Sequence, residues 1–233
     1  MCGIAGWVTR ARVRPDEMTL HRMCDAIRHR GPDSEGVHIG ESVALGARRL
    51  SIIDLQTGDQ PIRSNDGRFT IVFNGEIYNF QEVRAELEAL GRPFHTHGDT
   101  EVVLQSYAAW GDAFLDRLNG MFALALWDES ERRLILARDR LGKKPLLLAD
   151  VNGALVFGSE FRCVLAHPDV PREVDHLAID EYLALGYVPA PRSAFRPGGC
   201  RRADRSARTS DGRTPADLAE AAGHAQLAAS LRA

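Results

Sequence analysis

The sequence predicts an α+β domain built on antiparallel sheet. Short apolar, β-prone runs outnumber the helical stretches, and they bracket two or three helices without regular strand–helix–strand alternation. That pattern argues for a layered domain on antiparallel sheet. A chain of 233 residues, 44% hydrophobic and 26% charged, suits one large globular domain or a domain with an appendage.

Each element has its own signal. Gly3 to Val8 is an apolar run that opens the chain as a strand. Leu20, Met23, Cys24 and Ile27 recur at helical spacing, giving an amphipathic helix over residues 16–28 that Gly31-Pro32 stops. Residues 42–47, 50–53 and 69–73 read as short strands. Asn79 with Glu82 three positions later reads as a capping box, and Phe80, Val83, Leu87 and Leu90 form one face of the helix it starts. A further helix begins near Asp99-Thr100 and puts Val103, Tyr107 and Trp110 on one side. Residues 121–127, 133–137, 145–148 and 154–157 are four more strands, and residues 176–185 a last helix ending before Pro189 and Pro191. Beyond Phe195 the composition turns to Arg, Ala and Gly, which marks a boundary.

Bulk properties exclude several functions. A formal net charge of −3 gives no electrostatic footprint for nucleic acid. No apolar run is long enough to span a membrane, and Ile4 to Val8 is too short for the core of a signal peptide. Cys2, Cys24, Cys163 and Cys200 lack metal-ligand spacing and form no dense framework, so the expectation is a cytoplasmic chain without metal or structural disulfide.

Cys2 is the most informative residue. With Met1 removed, it carries an α-amino group of ordinary pKa about 8 beside a thiol of about 8.5. A base and a nucleophile then share one residue. The plain alternative is a small apolar residue opening a buried strand.

Seven motifs follow in order: Cys2-Gly3-Ile4, His29 to Asp33, Arg49 to Asp54, Phe73 to Asn79, Gly98 to Glu101, Asn119 to Ala123 and Arg138 to Gly142. Several have structural readings of their own. Asn74-Gly75 between two apolar runs is a strong type I′ hairpin signal. Asp99 sits where a helix N-cap belongs, Arg49 reads as a charge flanking a strand, and Glu101 as a first-turn carboxylate favoured by the helix dipole. Arg30 to Asp33 reads as a helix stop.

Taken together and in this order, the motifs resemble the glutaminase domain of glutamine-dependent asparagine synthetases, over residues 1–195. Those domains are class II amidotransferases of the N-terminal-nucleophile hydrolase fold, so the resemblance implies a four-layer αββα sandwich of two antiparallel sheets. It also implies roles for a site that binds L-glutamine. Cys2 is the nucleophile and its own amine the proton relay. Asn74 (side chain) and Gly75 (backbone N–H) form the oxyanion hole. Arg49 pairs with the substrate carboxylate, and Leu50, Ser51, Ile52 and Ile53 line the same pocket. Glu76 and Asp99 hold the substrate, Asp99 at its ammonium. A free amino acid carries both charges, and a peptide-bound glutamine lacks them.

The resemblance breaks off before the synthetase domain, whose Ser-Gly-Gly-x-Asp-Ser loop is absent from the sequence. ATP and Mg belong to that missing part, so no cofactor is expected in this chain. The expected organisation is an amidotransferase domain over residues 1–186, a linker-like segment over 187–195 and an atypical disordered tail over 196–233. Asp211 to Leu227 of that tail is similar to a single ankyrin repeat, too little to bury its own apolar face. A separate synthetase subunit or a second copy is the expected partner. Two alternatives stay open: the same chemistry serving another ammonia acceptor, or a non-catalytic fragment acting through protein contacts.

Overall fold

The computed structural model describes residues 1–10, 13–51, 57–189, 192–195, 201–202 and 227–232. Its elements begin with Gly3–Thr9 (β1), Glu17–Asp25 (α1), Ser34–Ile39 (β2), Val43–Arg49 (β3), Ile62–Arg63 (β4), Phe69–Ile77 (β5), Phe80–Ala89 (α2) and Asp99–Trp110 (α3). A 3₁₀ segment, Gly111–Arg117, follows. Then come Gly120–Asp128 (β6), Arg133–Arg138 (β7), Leu147–Val151 (β8), Ala154–Gly158 (β9), Phe161–Val164 (α4), His176–Leu185 (α5), Arg201–Arg202 (β10) and Leu227–Arg232 (β11).

The strands form two sheets, ordered β10-β8-β9-β1-β3-β2 and β11-β7-β6-β5-β4, with every pairing antiparallel. Side-chain alternation shows how they stack. From β1, Ile4 and Val8 enter a core shared with Val72 of β5 and Ala123, Ala125 and Trp127 of β6. The intervening Ala5 and Trp7 pack instead with Leu20, Met23 and Cys24 of α1 and Val164 of α4. On the second sheet, Ile71 and Phe73 turn the other way, toward Val103, Leu104 and Tyr107 of α3. Each central strand is thus covered on both faces, which is why Gly3 to Val8 is almost uninterruptedly apolar. The layers run helix, sheet, sheet, helix: the αββα sandwich.

Several local expectations are corrected. Asn74 and Gly75 do not form a hairpin tip. They lie inside β5, paired with Ala123 and Phe122 of β6, because β5 pairs with β6 along all nine of its residues. Asn79 makes no side-chain cap on α2. Its amide donates to the Arg117 carbonyl and accepts from the Asn119 N–H, both at 2.9 Å, and so ties the helix start to the segment before β6. The N-cap of α3 is Gly98, and Asp99 is the first helical residue. Leu90 falls just beyond α2 and is exposed. Strand β2 escaped the sequence reading because its residues are all half-buried, so no apolar alternation marks it.

In the tail, Arg201–Arg202 pairs with β8 and Leu227–Arg232 with β7, so these two pieces extend the sheets, where the sequence suggested a disordered tail outside the domain. A strand edge such as that of β7 offers backbone groups for such pairing. Residues 203–226, including most of the ankyrin-like stretch, lie outside the described residues. Among the described residues no helix is long and apolar enough to cross a membrane.

Candidate active site

Cys2 stands one residue before β1, and its backbone is fixed from the loop after α1. The Arg30 Nε donates to the Cys2 carbonyl at 3.0 Å, and its guanidinium pairs with Glu160 Oε1 at 3.0 Å. His29 approaches the same oxygen at 2.9 Å. Burial alone would raise the Glu160 pKa, but the bonds from Arg30 and His29 outweigh it and hold the carboxyl below its ordinary value. The His29 to Asp33 motif therefore does more than stop a helix. Asp33 accepts the Ser51 N–H at 2.8 Å, which anchors the chain leaving β3.

The Cys2 thiol faces that departing chain. Its Sγ accepts from the Leu50 N–H at 3.4 Å and lies 3.6 Å from the Leu50 carbonyl. Thiol, guanidinium and carboxylates then meet around one cavity of about 320 Å³, lined by Cys2, Arg49, Asn74, Gly75, Glu76 and Asp99 among others. Leu50 also lines it, whereas Ser51 contributes through its backbone bond to Asp33. Ile52 and Ile53 lie outside the described residues.

Arg49 is the last residue of β3, inside the strand and not flanking it. It is 6% exposed and pairs with Asp59 at 2.9 Å. Asn74 is 1% exposed, yet its Nδ2 has no hydrogen-bond partner among the described residues. Buried amide donors are nearly always satisfied, so an orphan on a residue that lines a cavity points to a ligand acceptor there. Gly75 is held tightly against β6: a Cβ there would lie 2.4 Å from the Met121 carbonyl oxygen.

Asp99, at the start of α3, is 6% exposed and accepts the Ile77 N–H at 2.9 Å. Burial raises its pKa, and neighbouring Glu76 adds to the effect. A cationic group entering the cavity would favour the ionised form of both carboxyls. Glu101 stands in the first turn of α3, where the helix dipole favours a carboxylate. It is buried and accepts from the His95 and Thr96 N–H groups and the Thr96 hydroxyl, fixing the loop that enters α3.

Among the lining residues not named as site residues from the sequence are Gln60 and Lys144. Gln60 accepts the Phe73 N–H at 2.7 Å, and Lys144 reaches in from the β7–β8 connection. Lys144 stands two residues after Gly142 of the last motif, which was the available signal. Among the described residues no group of three or more His, Cys, Asp and Glu side chains could hold a metal ion.

The arrangement offers a thiol nucleophile, an unused amide donor, a guanidinium and a pair of carboxylates around one space. It is complementary to a small zwitterion with a further polar group. Residues 1–202 match a family model described as a glutamine amidotransferase domain. The chain is 40% identical over 201 residues to asparagine synthetase [glutamine-hydrolyzing] 3 of Bacillus subtilis (strain 168), covering 85% of this chain and 33% of that protein. It is 42% identical over 196 residues to a putative asparagine synthetase [glutamine-hydrolyzing] of Mycobacterium bovis, covering 78% and 30%. The chain thus spans about a third of the length of the curated relatives it matches. Among solved structures, the glutamine phosphoribosylpyrophosphate amidotransferase of B. subtilis superposes with a TM-score of 0.58 at 23% identity. That match covers 71% of this chain and 43% of the other, and shows a shared fold.

Proposed function

The chain belongs to the glutamine amidotransferase domain family, and on that premise we propose that it hydrolyses L-glutamine to glutamate and ammonia through a thioester on Cys2. The observation that carries this reading is the buried, unpartnered Asn74 amide in the same cavity as the Cys2 thiol. Once Met1 is removed, the Cys2 amine takes the thiol proton and Sγ attacks the side-chain amide carbon of glutamine. Negative charge then develops on the former carbonyl oxygen, where the Asn74 Nδ2 and the Gly75 N–H donate; such donors are worth about 3 kcal/mol each. Collapse breaks the C–N bond, and the Cys2 ammonium returns its proton to the departing ammonia. Water then cleaves the thioester to glutamate.

Arg49 takes the substrate α-carboxylate, exchanging or sharing its contact with exposed Asp59. Asp99, with Glu76, takes the α-ammonium. Leu50 contributes to the pocket wall. The relatives' names support asparagine synthesis as the destination of the ammonia, with this chain the glutaminase half and an ATP- and Mg-dependent synthetase half outside its 233 residues. A separate synthetase subunit or a second copy completes the assembly, in the cytoplasm, and the glutaminase half needs neither cofactor nor metal.

The test is ammonia release from free L-glutamine by the purified chain, paired with its intact mass. Activity in the species lacking Met1 is the expected result. Adding aspartate and ATP should produce no asparagine from this chain alone. Absence of glutaminase activity in the Met1-free species overturns the reading.

A further inference from the structure

One charged side chain in the cavity has no part in the reaction above. Lys144 is 6% exposed, and its Nζ donates to the Met1 Sδ at 3.2 Å. A thioether is a weak acceptor and carries no charge, and Lys144 makes no ion pair among the described residues.

The last sequence motif explains how the side chain is held there. The Lys144 N–H donates to Asp139 Oδ2 at 3.0 Å, and Arg138 Nε donates to the Lys144 carbonyl at 2.6 Å. The buried Asp139 also takes the N–H groups of Leu141 and Lys143, at 3.1 and 2.9 Å. Gly142 turns the chain at φ +63, and a Cβ there would sit 2.7 Å from the Arg138 guanidinium carbon. Arg138 to Gly142 thus forms a rigid cradle that presents the Lys144 side chain to the chain terminus.

We propose that Lys144 is a positioning residue for proton transfer at Cys2: its fixed positive charge keeps the Cys2 amine, uncovered when Met1 leaves, in the unprotonated state that accepts the thiol proton. This rests on the glutaminase reading above. The other charged groups around Cys2 are accounted for element by element. From the loop after α1 comes Arg30, held on Glu160 with His29 alongside; from β3 comes Arg49, held on Asp59. Glu76 of β5 and Asp99 of α3 act in the opposite sense, and the substrate ammonium engages both. Lys144, from the β7–β8 connection, is the one lining cation without an ion pair among the described residues. A like charge lining the same partly desolvated cavity shifts a proton equilibrium by about one pH unit or more.

Acylation of the Cys2 amine, after alkylation of the thiol and read by peptide mass across pH, tests this on the Met1-free wild-type chain. The half-point should lie below the ordinary α-amine value of about 8. Lys144→Gln should raise that half-point by about one unit and move the acidic limb of kcat/KM upward by the same amount, so the loss is about tenfold on the acidic side and vanishes at high pH. Lys144→Arg should restore both. An ordinary half-point in the wild type overturns the proposal. So does a Lys144→Gln variant that loses activity equally at every pH with an unmoved half-point. If no glutaminase activity exists at all, the function falls, while amine acylation still reads the effect of Lys144.

Discussion

Asp99→Asn separates function from stability in one substitution. The Asn side chain still offers an oxygen to the Ile77 N–H, so the local hydrogen bond survives. What disappears is the negative charge. On the proposed binding mode this leaves the α-ammonium facing only Glu76, and breaking such a desolvated charge pair costs about 2–4 kcal/mol, or roughly 30- to 1000-fold in kcat/KM. Stability should respond in the other direction or not at all. Burial raises the Asp99 pKa above its unfolded value of 3.8, so the folded state holds this proton more tightly than the unfolded chain does. The resulting stability is full below the unfolded pKa and is lost as pH rises through the folded one. Once ionised, Asp99 is therefore a liability that Asn removes, offset by the lost interaction with the α3 dipole, worth about 0.3–1 kcal/mol. The net change should stay within about 1 kcal/mol, a Tm shift of roughly 2–4 °C at most for a chain of this size. Initial rates of ammonia release against glutamine concentration, with a thermal melt of the same sample, provide both numbers. Unchanged kinetics with a large loss of Tm would show that Asp99 only builds the α3 terminus, and would refute the reasoning.

Other substitutions have contrasting signatures. Asn74→Ala should lower kcat by about 10²–10³ while leaving the melting temperature nearly unchanged, because the Nδ2 it removes has no partner in the free protein; steady-state kinetics and a melt check both. Gly75→Ala should cost about 1–3 kcal/mol of stability as well as activity, since its Cβ must displace β6 backbone; denaturant unfolding reads the first part. Glu101→Ala should destabilise the chain by about 2–4 kcal/mol and raise KM, because it releases the backbone of His95 and Thr96 just before Asp99. A Glu101→Ala variant that melts like the wild type would deny it that anchoring role.

The central strands were legible because burial on both faces leaves an apolar run that no loop would keep. Helix α5 matched at both ends, with Asp175 capping its start and Gly186 in the left-handed conformation at its finish. Misreadings came where a local signal lost to a tertiary one. Asn74-Gly75 carries a strong turn preference, yet pairing with β6 keeps the pair extended. Asn79 and Glu82 match a capping box, yet the Asn79 side chain is taken by Arg117 and Asn119. The candidate site was legible as a set of ordered motifs rather than as geometry. Nothing in the spacing of Arg49, Asn74 and Asp99 says that three separate elements carry them to one cavity. Lys144 escaped because only packing against Met1 and the Asp139 cradle turns an ordinary lysine into a buried one.

The most direct test of the central claim is to trap the intermediate. The Met1-free chain is mixed with L-glutamine, quenched in acid within a turnover, and its peptides are weighed. The expected result is a γ-glutamyl thioester on Cys2, absent from a Cys2→Ala variant and from any fraction that retains Met1. Ammonia release with no adduct on Cys2, or with an adduct on Cys24, Cys163 or Cys200, would contradict the account.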